Sequence, residues 1–222
     1  MGQIELQAQD GHRLGAYLAE PQGASRGGIV VVQEIFGVNA HIRSICDRLA
    51  AEGYTSIAPA IFDRFEPGFE TGYSPADVEK AKALMPQFRM DACLLDVEAA
   101  RAAVGPAGKV GIVGFCLGGS VAFATATRLE GFSGASCFYG GMVQNFAGET
   151  ARCPVQLHYG ADDASIPAEN YLDVKARQPK AEFHVYEAAG HGFNCDQRQS
   201  YAPAAAALAW QRTLDFLART LG

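Results

Sequence analysis

The sequence of 222 residues has little positive charge and no concentration of it. Its 18 Lys and Arg are outnumbered by 24 Asp and Glu, giving a net charge of −6, and no run of five basic residues occurs. Proteins that bind nucleic acid need a basic surface to meet the phosphates. We therefore expect no nucleic-acid partner.

Long apolar runs, export signals and paired cysteines are also lacking. No uninterrupted apolar stretch approaches the roughly 18 residues of a membrane span, and the start has no basic segment followed by an apolar one. We therefore expect a soluble, cytoplasmic protein with no membrane partner. The six cysteines contain no Cys-x-x-Cys pair, and the five histidines have no metal-ligand spacing. This predicts reduced thiols, and no motif indicates a metal or an organic cofactor.

What is present is a chain with 49% apolar residues, enough for a single domain over residues 1–222. Apolar residues alternate on either side of Asp10-Gly11, which predicts an antiparallel hairpin. Strands and helices then alternate along the chain. Strands are predicted at 29–32, 55–58, 110–113, 135–138, 155–159 and 183–186, and helices at 42–49, 117–129, 167–177 and 203–221. This order favours an α/β protein with a mostly parallel sheet and helices on both faces.

The segment from Ile61 to Tyr73 is rich in glycine and aromatic residues and has little periodicity. Long loops inside compact domains are more often functional than idle. We expect this loop near a site. Ser74-Pro75-Ala76-Asp77 then has the pattern of a capped helix start.

The strongest motif surrounds Cys116, in Gly114-Phe115-Cys116-Leu117-Gly118-Gly119. Glycines two residues before and after a nucleophile, between a strand and a helix, are typical of the nucleophile elbow. The helix start would favour a thiolate, and the amide of Leu117 would be an oxyanion-hole donor. Two alternatives stay open: an inert core thiol, and a dinucleotide-binding loop, which is the weaker because Cys116 replaces a required glycine.

A nucleophile of this kind needs an acid and a histidine later in the chain. The loop from Gly160 to Pro167 offers Asp162 and Asp163, of which we favour Asp163, although a solvated turn acid is the ordinary role of such residues. His191, between Gly190 and Gly192, follows the last predicted strand and is the candidate base. The other four histidines are weaker candidates: His12 is in a turn, His41 is near a helix start, and a structural role is the default for His158 and His184 in their strand patterns.

Glu34 directly follows a buried strand, so its carboxylate is expected at the active edge of the sheet, although a surface glutamate is the alternative. The amide of Ile35 is the natural second oxyanion donor.

Taken together, Gln33 to Asn39, Gly114 to Gly119, Gly160 to Pro167 and Gly190 to Phe193 resemble the dienelactone hydrolase family over nearly the whole chain. The resemblance implies an α/β-hydrolase fold without a large cap domain. It also implies carboxymethylenebutenolidase-like hydrolysis of a small activated ester or lactone, through a Cys-His-Asp triad and a covalent acyl-enzyme.

Residue roles follow from the same resemblance. Cys116 resembles the nucleophile, His191 the base and Asp163 its orienter. The amides of Ile35 and Leu117 resemble the oxyanion hole, and Glu34 resembles the glutamate that takes the thiol proton when substrate arrives. Arg64 resembles a binder of the substrate carboxylate, and Phe36 and Tyr139 resemble pocket walls.

The sequence departs from the family at two positions after the histidine. Members that degrade dienelactone place a serine and then a second, carboxylate-binding arginine where this chain has Gly192 and Cys195, although Arg198 is near. A different small-molecule ester, lactone or thioester is therefore a possible substrate. The alternative function is a non-catalytic ligand-binding or thiol redox-sensing protein on the same fold. The oligomeric state stays open, with a monomer favoured.

Overall fold

The computed structural model describes residues 2–222 and contains one eight-stranded sheet. Its strands are β1 (Gly2–Gln7), β2 (Arg13–Ala19), β3 (Gly28–Val32), β4 (Thr55–Pro59), β5 (Val110–Phe115), β6 (Phe132–Phe138), β7 (Val155–Gly160) and β8 (Glu182–Tyr186). They lie in the order β1-β2-β4-β3-β5-β6-β7-β8, and only β2 pairs antiparallel with its neighbours. The predicted hairpin and the predicted parallel strands are confirmed.

Helices cover both faces of this sheet. They are α1 (Ala40–Ala51), α2 (Pro75–Leu84), α3 (Met90–Val104), α4 (Leu117–Arg128), α5 (Val143–Phe146), α6 (Ala168–Arg177) and α7 (Pro203–Leu221). Helices α3 and α4 pack on each other and on one face, while α1 and α7 contact the sheet on the other, where Arg48 stacks on Trp210. Strands β3 and β5 are fully buried, as expected for strands covered on both sides.

The helix α2 begins where the sequence predicts it. The hydroxyl of Ser74 accepts from the amide of Asp77, and the carboxylate of Asp77 accepts from the amide of Ser74, which forms a capping box with Pro75 at the first position. This cap fixes the end of the long loop that starts at Ile61, and it places Tyr73 immediately before a rigid helix.

The carboxyl ends of β3, β5, β7 and β8 meet at one edge, where α/β sheets gather functional loops. No large cap covers this edge: the segment 139–154, between β6 and β7, contains only the short helix α5. Within residues 2–222, none of the helices has the length and apolarity required to cross a membrane.

Candidate active site

Cys116 occupies a strained turn between β5 and α4. Its backbone has φ 55° and ψ −112°, a conformation that costs a non-glycine residue about 1–3 kcal/mol. A Cβ atom on Gly114 would overlap the carbonyl oxygen of Gly118, and one on Gly118 would overlap the carbonyl oxygen of Val32. The two glycines therefore let the chain turn sharply enough to place the Cys116 side chain at the start of α4.

Cys116, His191 and Asp163 form a continuous hydrogen-bonded chain. Nε2 of His191 lies 3.1 Å from Sγ of Cys116, and Nδ1 lies 2.8 Å from Oδ2 of Asp163. The other oxygen of Asp163 accepts from the amides of Ser165 at 2.8 Å and Ile166 at 3.2 Å. The structure therefore brings together the three residues that the sequence indicates.

The two neighbouring aspartates differ as the sequence argument expects. Asp163 is buried, with 4% of its surface exposed, whereas Asp162 lies at the cleft surface and makes no side-chain hydrogen bond within residues 2–222. Amide donors hold the buried carboxylate in one orientation. It can therefore fix the orientation of the His191 imidazole.

The charge state of His191 is set by its two partners. Burial opposes a charge on the ring, but the adjacent Cys116 sulfur and the Asp163 carboxylate prevail and raise the pKa of His191 to about 10. An imidazolium beside a sulfur favours the thiolate form. The site is thus arranged to hold a proton on the His191 ring at neutral pH.

Two backbone amides near the elbow are unpaired. The amide of Gly118 donates to the carbonyl oxygen of Gln33 at 3.0 Å, which joins the start of α4 to the loop after β3. On these two segments, the amides of Leu117 and Ile35 donate to no protein acceptor among residues 2–222. Free amides at a helix start and an adjoining loop are suitable donors to an oxyanion.

Glu34 is fully buried and is held by two donors. Its Oε1 accepts from Nη1 of Arg198 at 2.8 Å, and its Oε2 accepts from the hydroxyl of Tyr73 at 3.1 Å. The Tyr73 hydroxyl in turn accepts from Nδ2 of Asn39 at 3.0 Å. No hydrogen bond joins Glu34 to Cys116 in the described part of the chain.

Burial and the charge of Glu34 raise the pKa of Tyr73, so its hydroxyl remains a donor. Sequence reasoning placed the loop ending at Tyr73 near a site but did not identify this residue. The contact with Glu34 spans 39 positions, and no local motif predicts it.

Arg198 reaches Glu34 across the backbone of Gly192. Gly192 has φ 77°, and a Cβ atom there would overlap the Arg198 guanidinium. The guanidinium carbon lies 5.6 Å from the ring centroid of Phe36 and 5.8 Å from that of Tyr73. The absence of a side chain at Gly192 thus leaves room for the guanidinium of Arg198.

A cleft of about 1030 Å³ opens beside these residues. Its lining includes Phe36, Tyr73, Ser165, His191 and Arg198. Phe36, which is predicted to be a pocket wall, therefore lines this cleft.

Tyr139 does not line this cleft. It is fully buried, and its ring packs edge-on against the His191 ring at a centroid distance of 5.3 Å. The structure thus gives Tyr139 contact with the imidazole in place of the wall position predicted for it.

Arg64 does not reach the cleft either. Its guanidinium donates twice to the buried carboxylate of Asp96, both at 2.7 Å, and twice to the carboxylate of Asp10, at 2.8 and 3.4 Å. These contacts tie the turn between β1 and β2 to α3. In this structure Arg64 thus makes structural contacts away from the cleft where a substrate contact is predicted for it, and Arg198 is the arginine in the cleft lining.

Comparison with known proteins matches the model of the dienelactone hydrolase family to residues 14–221. A carboxymethylenebutenolidase of Pseudomonas putida is 37% identical, covering 97% of this chain and 95% of that protein. A crystal structure from Klebsiella pneumoniae, provisionally assigned as a dienelactone hydrolase, has a TM-score of 0.85 and 32% identity over 99% of this chain and 100% of that one. A dienelactone hydrolase-like promiscuous phosphotriesterase from metagenomic libraries, with a TM-score of 0.81 but 21% identity over 100% of this chain and 99% of that one, shares the fold.

Proposed function

The chain belongs to the dienelactone hydrolase family and is a lactone or ester hydrolase, and we propose that it acts through Cys116, His191 and Asp163. The observation that carries this proposal is His191, whose two ring nitrogens lie within 3.1 Å of the Cys116 sulfur and 2.8 Å of the Asp163 carboxylate. That geometry is what a nucleophile, a base and an orienting acid require.

In the proposed first half-reaction, the Cys116 sulfur attacks the carbonyl carbon and forms a carbon–sulfur bond. The carbonyl π electrons move to the oxygen, and the amides of Ile35 and Leu117 donate to the oxyanion. When the oxyanion collapses, the carbon–oxygen bond to the leaving group breaks. The departing oxygen takes the proton from His191.

In the second half-reaction, neutral His191 takes a proton from water as the water attacks the acyl carbon. The tetrahedral intermediate collapses, the carbon–sulfur bond breaks and the acid product leaves. Asp163 stays ionised and holds the ring through Nδ1. The sulfur and the imidazolium are then restored for the next cycle.

Arg198 supports a preference for substrates that carry a carboxylate. Its side chain lines the cleft and is 20% exposed, while its partner Glu34 is fully buried. A substrate carboxylate that pairs with Arg198 competes with Glu34 for the guanidinium. Released Oε1 of Glu34 is then free to accept the proton of the Cys116 thiol, which leaves the thiolate that attacks the carbonyl carbon.

The decisive experiment combines burst kinetics with intact-mass detection of an acyl adduct. The substrates are p-nitrophenyl acetate, a thioester, and an enol lactone that carries a carboxylate. We expect a burst, an adduct on Cys116 that turns over, and loss of both in Cys116→Ala. Cys153→Ala removes a half-buried thiol outside the site and is the matched control.

Two outcomes would contradict the proposal. One is undiminished turnover by folded Cys116→Ala. The other is the absence of any adduct in folded, reduced wild-type protein with all three substrates, which would favour a binding or thiol-sensing role.

A further inference from the structure

A second group of ionisable side chains lies against the ion pair of Glu34 and Arg198. Glu34, His41 and Cys195 are 0%, 2% and 0% exposed, and one ligand-type atom from each lies within 4.8 Å of the other two. The group offers a carboxylate oxygen, an imidazole nitrogen and a thiol sulfur. The proposed hydrolysis uses neither His41 nor Cys195.

His41 is the member that indicates a missing ligand. Neither of its ring nitrogens has a hydrogen-bond partner among residues 2–222. The nearest carboxylate oxygen, on Asp196, lies 3.6 Å from Nδ1, which is longer than a hydrogen bond. A buried polar atom left without a partner costs about 1–3 kcal/mol, and native proteins rarely retain two on one ring.

We propose that Glu34, His41 and Cys195 form a site for a thiophilic divalent cation, with Zn²⁺ as the best fit. Zinc in proteins is bound by thiolate, imidazole and carboxylate in tetrahedral geometry. Three protein ligands leave a fourth position for water. On binding, Cys195 loses its proton to solvent and its sulfur lone pair forms the bond to the metal.

The distances suit this occupant with a small adjustment. Zinc–ligand bonds of about 2.0–2.3 Å place tetrahedral ligand atoms roughly 3.3–3.8 Å apart. The three ligand atoms already lie within 4.8 Å of one another. The ligand atoms therefore need to approach one another by about 1 Å, a shift within the reach of side-chain rotation.

The neighbouring charges also suit a cation. Arg198 binds Oε1 of Glu34 and leaves Oε2, now held by Tyr73, for the metal. Asp196 lies 3.6 Å from Nδ1 of His41, close enough to approach the ring and orient it once the other ring nitrogen binds the metal. The charges of the Glu34 carboxylate, the Cys195 thiolate, the divalent cation, Arg198 and Asp196 sum to zero, so the occupied site and its charged neighbours carry no net charge.

The ion has its own entrance. A surface cavity of about 400 Å³ reaches His41, and it shares no lining residue with the proposed substrate cleft. Its lining includes Asp196, whose side chain is 67% exposed, as well as Ser44, Arg48, Asn194 and Tyr201. A hydrated cation can therefore approach through this cavity and be attracted by Asp196.

Binding there has a consequence for turnover that rests on the proposed function. Bound zinc holds the Glu34 carboxylate in place, so this carboxylate cannot move toward Cys116 and accept its proton. We therefore expect Zn²⁺ to inhibit the enzyme without contacting the catalytic thiol.

The site itself is tested without any activity. Cys116→Ser removes the catalytic thiol, which with His191 could otherwise bind metal. Co²⁺ is titrated into this variant as a spectroscopic substitute for zinc, and the thiolate-to-cobalt charge-transfer band is followed. We expect a band at one equivalent of Co²⁺ and its loss when one equivalent of Zn²⁺ is added.

Further substitutions in the Cys116→Ser background assign the ligands. Cys195→Ser should abolish the band and weaken zinc binding at least about 100-fold, whereas Asp196→Asn should weaken it about 10–100-fold. Cys153→Ser, which removes the half-buried thiol elsewhere, should leave the band unchanged. Circular dichroism checks that each variant is folded, with Cys195→Ala as a second test if Cys195→Ser is not.

No band in Cys116→Ser, or a band that survives loss of Cys195, would overturn the site. Zinc inhibition of wild-type turnover is measured separately, and it should weaken in Cys195→Ser. If hydrolysis is absent but the cobalt band follows Cys195, the proposed function has failed and the metal site stands.

Discussion

At the scale of single residues, His191 contacts both other members of the proposed triad, Asp163 and Cys116. Its ring lies between Asp163 and the Cys116 sulfur, and Tyr139 packs against it. The pKa of His191 rises from 6.5 to about 10 in the folded protein. A raised folded-state pKa stabilises the fold below pH 6.5, and this contribution is lost as the pH rises toward 10.

The first prediction concerns this pH dependence. The free energy of unfolding of the wild type should exceed that of His191→Gln by more at pH 6 than at pH 10, since the wild-type ring loses its bound proton over this range. Urea unfolding at a series of pH values measures it. A difference that does not change with pH would contradict the assignment of a charged His191.

The second prediction concerns the space that Gly192 leaves for Arg198. Gly192→Ala adds a methyl group that overlaps the guanidinium, and its φ of 77° is unfavourable for alanine. Loss of one charged hydrogen bond is worth about 1.5–3 kcal/mol. The ratio of kcat/KM for a carboxylate-bearing ester to that for p-nitrophenyl acetate should therefore fall roughly 10- to 100-fold.

The ratio of the two kcat/KM values distinguishes loss of carboxylate recognition from a general loss of activity caused by the substitution next to His191. If kcat/KM falls equally for both esters, Arg198 does not bind the substrate carboxylate.

At the scale of elements, the elbow between β5 and α4 depends on the distance between two backbones. Gly118 allows the start of α4 to touch the end of β3, and its amide donates to Gln33 there. The same contact places Leu117 and Ile35 on adjoining segments. A small displacement of the helix start therefore changes the positions of the proposed nucleophile and of the proposed oxyanion donors together.

The third prediction follows from that contact. Gly118→Ala should destabilise the protein by about 1–3 kcal/mol or more, because the added methyl group overlaps main-chain atoms that cannot rotate away. Activity should fall more than the folded fraction does. Gly105→Ala is the control, since a Cβ atom at Gly105 meets nothing within 4 Å. Chemical denaturation and initial rates of both variants measure the effect.

Much of the fold follows from local patterns. The run from Ile29 to Val32 and the cap at Ser74 act through neighbouring residues, so strands, helices and their order are predictable from sequence. Cys116 is identifiable for the same reason, since its glycines lie within two positions. The roles of Tyr73 and Arg64 are different, because they depend on partners distant in sequence.

Arg64 shows why such roles cannot be predicted from the sequence. Its partners Asp10 and Asp96 lie 54 and 32 positions away. Before the chain is folded, nothing distinguishes an arginine that pairs with these carboxylates from one that meets a substrate.

At the scale of the whole molecule, Arg64 connects separate parts of the chain. Asp96 of α3 is fully buried, and Asp10 belongs to the turn of the terminal hairpin. A buried carboxylate without its partner is strongly unfavourable. Arg64 therefore holds the edge of the sheet to a helix on its face.

The fourth prediction distinguishes this role from substrate binding. Arg64→Ala should reduce the free energy of unfolding by about 3–5 kcal/mol. KM for a carboxylate-bearing ester should stay unchanged in the folded fraction. Adding Asp96→Asn should restore part of the stability, because the buried charge is removed. A higher KM without loss of stability would instead support contact with substrate.

The order of the triad along the chain has a consequence for synthesis. His191, the proposed base, lies 75 positions after Cys116, the proposed nucleophile, and Arg198 lies 164 positions after Glu34, with which it pairs. Since chains emerge from the ribosome amino end first, the thiol is made well before the groups that activate it. A nascent or prematurely terminated chain that ends before residue 191 therefore contains Cys116 without His191, and its thiol lacks the proposed base.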